Sequence, residues 1–193
     1  MRRQLRPTDV KRLNRTWRRN TQNRLGLIIE SVTGPFNIGS IFRSAAAFGV
    51  DEIWLAGNAT PPTNPKAGKT ALGTERLVTW HEAVPAVEAV KAARESGYAV
   101  LAIELTAEAT PLHRAALSCD VCLVVGSEDH GCSPALLDAV DGACYIPQVG
   151  RVGSFNVAVA AAIALAEARR QEWQNLLIRN RTVHSGRAYF RTC

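Results

Sequence analysis

A mostly parallel α/β sheet with helices on both faces is the fold class this sequence predicts, and three observations predict it. Short apolar runs bounded by charge or glycine alternate along the chain with stretches of helical character. Those runs are apolar throughout rather than at every second residue, as expected of strands covered on both faces. Three loops that follow them are rich in Gly, Asn, Ser and Pro, and ligands of such sheets bind outside the carboxyl ends of strands. With 193 residues, 47% of them apolar, the chain is long enough for one domain with its own core.

The elements follow in order. Arg24-Leu-Gly-Leu-Ile-Ile-Glu30 reads as a buried strand, and residues 31–39 as a punctuated loop. A helix is expected from about Ser40 to Phe48, stopped by Gly49. Glu52 to Ala56 is the next strand. Residues 57–73, with Pro61, Pro62 and Pro65 around Lys66 and Lys69, read as a long exposed loop. Val84 to Glu95 has the spacing of an amphipathic helix ending at Gly97. Strands are expected at Tyr98–Ile103, Cys122–Val125 and Ala143–Ile146, with helices from Pro134 to about Val140 and from Asn156 to Arg170. The organisation is then a basic extension over 1–24, a domain over 25–170 and a tail over 171–193.

Charge is uneven. Residues 1–24 hold nine Arg and Lys against Asp9 alone, a net of +8; the whole chain is +6, so 25–193 carry −2. Arg12, Arg15, Arg18 and Arg19 in this arm, with Lys66 and Lys69, are the candidate RNA contacts, since clustered cations displace counterions from phosphates. Charge alone leaves a solvated basic tail equally open. Cys119 and Cys122 share a Cys-x-x-Cys spacing, yet no second such pair and no His-x₃₋₅-His follows. Small buried thiols in a reducing cytosol, with no metal, are the expectation. No apolar run is long enough to span a bilayer and no signal-peptide core opens the chain, so a cytoplasmic protein is expected.

The motifs exclude several chemistries. No Gly-x-Gly-x-x-Gly follows a strand and no Gly-x₄-Gly-Lys-Ser/Thr loop occurs, against dehydrogenases and nucleotidases. A Gly-x-Ser-x-Gly elbow is missing and the four histidines are scattered, against hydrolases.

The three polar loops match one family in order and spacing. Asn37-Ile-Gly-Ser-Ile-Phe-Arg43-Ser-Ala-Ala-Ala-Phe-Gly49, Leu123-Val-Val-Gly-Ser-Glu128-Asp-His-Gly-Cys-Ser133 and Ile146-Pro-Gln-Val-Gly-Arg-Val-Gly-Ser154-Phe-Asn156-Val-Ala-Val-Ala160 resemble the three motifs of the SpoU/TrmH RNA 2′-O-ribose methyltransferases, within the SPOUT superfamily. The resemblance implies a deep C-terminal trefoil knot, S-adenosylmethionine bound among the knotted loops, and a homodimer whose active site draws on both subunits. It departs from the common pattern at Ser44, Cys132, Gln148 and Phe155; the phenylalanine adds bulk beside the implied adenine pocket.

Carried over residue by residue, the resemblance implies that Ile103, Gly126, Ile146, Ser154 and Phe155 line the cofactor site. Gly126 ends a strand where a side chain would block a ligand near the backbone. Arg43 is assigned activation of the ribose hydroxyl; a guanidinium, with a pKa above about 12, stabilises a developing oxyanion better than it accepts a proton. Asn37 is expected just before its helix, where it would cap it and face the target ribose. Glu128 would orient Arg43 or accept substrate hydrogen bonds, and Ser154 and Asn156 would cap the last helix, bind cofactor or order the arginine. The expected reaction is methyl transfer to a ribose 2′-hydroxyl of structured RNA. Extensions at both ends favour tRNA as the substrate, with ribosomal RNA and an inactive RNA-binding relative as the alternatives.

Overall fold

The structure, a computed structural model, describes residues 3–83 and 85–185. Seven strands form one sheet: β1 (Leu25–Glu30), β2 (Glu52–Ala56), β3 (Thr79–Ala83), β4 (Ala99–Ile103), β5 (Thr110–Pro111), β6 (Val121–Val125) and β7 (Gly142–Tyr145). Their order is β3-β2-β1-β6-β4-β7-β5, and every pairing is parallel. β6 inserts between the earlier β1 and β4, and β7 between β4 and β5. Every residue of β1 and of β6 is buried, and successive side chains serve opposite faces. Leu25, Leu27, Ile29, Val121, Leu123 and Val125 enter one core cluster; Ile28, Cys122 and Val124 enter the other.

The described residues form six α-helices: α1 (Pro7–Arg19), α2 (Pro35–Phe48), α3 (Pro65–Ala71), α4 (Ala86–Glu95), α5 (Pro134–Ala139) and α6 (Val157–Ser185). α2 and α6 pack on one face with Ile38, Ile41, Phe42, Ala161 and Leu165; α4 and α5 pack on the other with Val90, Ala93 and Leu136. None of the described helices is long and apolar enough to cross a membrane.

Several expected boundaries move, each for a physical reason. The basic arm is helical, because Pro7 presets the first turn and Arg18 and Arg19 complement the helix C-terminus. α2 begins at Pro35, a turn and more before Ser40, with Gly34 as its cap. The expected loop over 57–73 contains α3, whose Asn64 cap accepts from the Lys66 amide at 2.9 Å and whose Ala67 and Ala71 are buried. α4 starts after Pro85, since the residue before a proline is pushed from helical geometry; Val84 lies outside the described residues. α6 continues well past Arg170. Arg187 and residues 189–193 of the expected tail lie outside the described residues.

That continuation rests on a buried ion pair. Arg169 and Glu172, 3% and 4% exposed, meet at 2.9 Å. Arg169 also donates to the carbonyls of Phe48, Gly49 and Asn23, while Glu172 accepts from the amides of Gln22 and Asn23. One helix turn thereby satisfies the end of α2 and the linker behind α1. Beyond it, Trp173 packs against Trp17 with ring centroids 4.7 Å apart and planes tilted by 42°, and donates to Thr21 Oγ1.

Candidate active site

The carboxyl ends of β4, β6 and β7 open on a cavity of about 620 Å³, within the range of small-molecule sites. Its floor is apolar, with Ile103, Val125, Ile146 and Val157, and its rim carries Glu104, Glu128 and Asp129. Ile103, Gly126, Ile146, Ser154 and Phe155 all line it. The sequence thus assigned to one pocket five residues that the fold does bring together.

The loop after β6 is held by its own backbone. Ser127 and Gly131 exchange hydrogen bonds at 3.0 Å, and Gly131 takes φ +66 to close the turn. A Cβ on Gly126 would run into the Gly131 carbonyl and the Cys132 amide. Glycine at 126 is therefore required by the returning chain, a structural reason beside the expected one that it clears room for a ligand. Two carboxylates anchor the far side of the loop: Glu104 accepts from the Cys132 amide at 2.9 Å, and buried Glu30 from the Ser133 amide at 2.8 Å. Sequence reasoning passed over both. Their one signal was position, an acid at or just past the end of an apolar strand. Burial pushes the Cys132 thiol well above its ordinary range, with Glu104 and Glu30 adding to the effect, so this side chain packs rather than reacts. The Cys122 thiol, fully buried, is raised for the same first reason. No cluster of metal-ligating side chains occurs among the described residues.

A chain of three side chains joins the motifs. Asn156 caps α6, its Oδ1 accepting from the amides of Ala158 and Val159 at 3.0 and 3.3 Å. With that oxygen committed, its Nδ2 donates to Asn37 Oδ1 at 3.0 Å. Asn37 then turns its own Nδ2 to Glu128 Oε1, 2.8 Å away, and Glu128 also accepts from the Gly34 amide at 3.3 Å. The helix cap fixes the orientation of each amide down the line to one carboxylate. Asn37 stands in the first turn of α2, with no capping bond from its side chain, so its expected capping role is replaced by this bridge. Glu128 contacts Asn37 and not Arg43. Ser154 lines the cavity but makes no capping bond; Asn156 alone caps.

Arg43 is exposed on α2 and does not line the cavity. It makes no hydrogen bond or ion pair among the described residues. The same exposed face carries Phe36, 60% exposed, and borders a second groove of about 440 Å³ between α2 and α6. Ser40, Ser44, Phe48, Val159 and Ile163 line that groove, and Val159 is 47% exposed. Of the expected RNA contacts, Arg12, Arg15, Arg18 and Arg19 lie exposed on α1, and Lys66 and Lys69 exposed on α3.

Comparison with known proteins places this geometry. The model of the SpoU rRNA Methylase family matches residues 24–166. The chain is 34% identical over 150 residues to an uncharacterized tRNA/rRNA methyltransferase of Synechocystis, covering 78% of this chain and 54% of that protein. It is 34% identical over 155 residues to a tRNA (guanosine(18)-2′-O)-methyltransferase of Thermus thermophilus, covering 79% and 78%. Among solved structures it resembles the AdoMet-bound rRNA methyltransferase from Sinorhizobium meliloti, with a TM-score of 0.73, 29% identity, and coverage of 79% and 58%. The chain thus spans little more than half the length of two of these three.

Proposed function

The chain belongs to the SpoU rRNA Methylase family, and from that membership we propose that it transfers a methyl group from S-adenosylmethionine to a ribose 2′-hydroxyl of structured RNA, in the cytoplasm. The observation that carries this reading is the Glu128–Asn37–Asn156 chain, which draws all three motifs to one place and whose Glu128 end lines the cavity. The donor set suits the cofactor. An apolar floor matches adenine, and three rim carboxylates face a ligand that carries a sulfonium and an ammonium. Ile103, Gly126, Ile146, Ser154 and Phe155 would hold it, and when bound it supplies an electrophilic methyl group.

The chain's own residues do the rest. Asn37, locked at both ends of its amide, and Glu128 provide a fixed polar edge against which a ribose can be set. Arg43 carries a permanent charge with no internal partner among the described residues, free to stabilise the oxyanion that forms as the 2′-hydroxyl loses its proton. Because Arg43 lies beside the α2–α6 groove, a second copy seated there would bring this arginine to the junction between subunits, and a homodimer is part of the proposal. α1 and the cationic face of α3 grip phosphates, with 25–170 as the catalytic unit. The trefoil knot belongs to the proposal too, supported by the late insertion of β6 and β7 between earlier strands. tRNA is the favoured substrate, because the Thermus tRNA-modifying relative matches over most of both chains.

Isothermal titration with S-adenosylmethionine tests the reading. Micromolar binding, about −8 kcal/mol, is expected, and its absence both alone and with RNA present would refute it.

A further inference from the structure

The loop after β2 carries a feature to which methyl transfer gives no role. Leu72 ends α3 at φ +54, in the left-handed region where glycine or asparagine usually closes a helix. Gly73 follows at φ +83, and Leu77 stands beyond the 3₁₀ turn at Thr74–Arg76. Leu72 is 66% exposed and Leu77 73%. The left-handed turn closes α3, with the Leu72 amide donating to the Gly68 carbonyl at 3.0 Å, but glycine would make that turn without strain, and the leucine side chain there is exposed to water rather than packed. Three exposed cations lie close to the pair in sequence: Lys66, Lys69 and Arg76. Glu75 is the sole acid from 65 to 77, and it lies 3.6 Å from Arg76.

The turn is held firmly to the site. At Gly39 the two helices touch backbone to backbone, and a Cβ there would strike the Ala67 carbonyl and come within 2.8 Å of Thr70 Cβ. α3 and the 3₁₀ turn both pack on α2, the helix that bears Asn37 and Arg43. The leucines are therefore fixed relative to those two side chains.

We propose that the turn over 72–77 is a wedge that unstacks the RNA, with Leu72 and Leu77 entering between neighbouring bases while Lys66, Lys69 and Arg76 hold the flanking phosphates. This rests on the RNA methyltransferase reading above. A ribose inside a stacked, folded RNA does not present its 2′-hydroxyl in line with a donor, and enzymes that act on one nucleotide draw it out of the stack. Apolar side chains that enter a base step open it. An exposed apolar pair in a short cationic stretch suits a polyanion with exposed base faces, and charge complementarity selects RNA over a protein partner.

The test compares the wild type with Leu72→Gly/Leu77→Ser, using unmodified tRNA and ribosomal RNA transcripts. Glycine relieves the left-handed strain, so an unchanged or raised Tm is expected; should Tm fall, Leu77→Ser alone carries the same expectation. RNA affinity is read by filter binding, and nucleotide unstacking by 2′-hydroxyl acylation mapped by sequencing. Wild-type binding should raise acylation at discrete nucleotides. The variant should bind within about threefold, raise none, and lose about tenfold or more in methyl transfer. Equal acylation by both proteins, or affinity lost in step with activity, overturns the wedge. No RNA binding by the wild type overturns the methyltransferase reading itself, and the wedge with it.

Discussion

At the scale of single residues, Arg43 and Arg169 make opposite cases. Arg43 is exposed and makes no internal hydrogen bond among the described residues, so removing it should cost the fold little. Arg43→Ala is expected to lower methyl transfer by about 10²-fold or more while affinity for S-adenosylmethionine, measured by titration, stays near the wild-type value. Loss of both together would mark it as structural. Arg169 is buried and fully bonded. Arg169→Met leaves Glu172 charged and buried, and should cost about 3–5 kcal/mol in denaturant unfolding; adding Glu172→Gln should recover part of that loss. The sequence offers no local sign of this role. Arg169 and Glu172 are three apart on a helix, the spacing of any surface ion pair, and only the carbonyls of Phe48, Gly49 and Asn23 make them a buried staple.

At the scale of elements, legibility followed burial. β1, β2, β4, β6 and β7 fall within a residue or so of their expected places; β1 and β6, buried on both faces, must be apolar throughout, and the partly buried β4 and β7 are still short apolar runs. β3 was not legible. Thr79-Trp-His-Glu-Ala83 lies at the sheet edge with its His81 and Glu82 exposed, and so reads like a loop. α3 was hidden by Pro65 and Gly68, residues that usually break helices, and it exists because Gly39 lets α2 come close. The five pocket residues were legible through the family resemblance, whereas Glu104 and Glu30 belong to no motif and show themselves only when their strands line up. α1 is the element whose function is most easily tested. Its arginines all face solvent and its tie to the body is Trp17 against Trp173. Deleting residues 2–19 should weaken RNA binding and flatten its salt dependence, by roughly 0.7–0.9 in log–log slope for each phosphate that the arm neutralises. An unchanged slope would show that the arm is only solvated charge.

At the scale of the whole molecule, the sheet gathers three loops at its carboxyl edge, and the α2–α6 face leaves Arg43 beside an apolar groove. The catalytic role proposed for Arg43, which lies outside the cavity, requires that two copies join there. Val159→Glu with Ile163→Glu should therefore yield a monomer by sedimentation and lose methyl transfer together with the dimer, while a monomeric wild type would refute the dimer. Cavity, arginine and cationic arm all take their meaning from the reaction itself. The decisive measurement incubates the protein with RNA and methyl-labelled S-adenosylmethionine, then digests the RNA to nucleosides for mass spectrometry. Label in a 2′-O-methylated nucleoside, abolished by Arg43→Ala, is expected; label on a base, or in neither tRNA nor ribosomal RNA, would show that the protein is not a ribose methyltransferase.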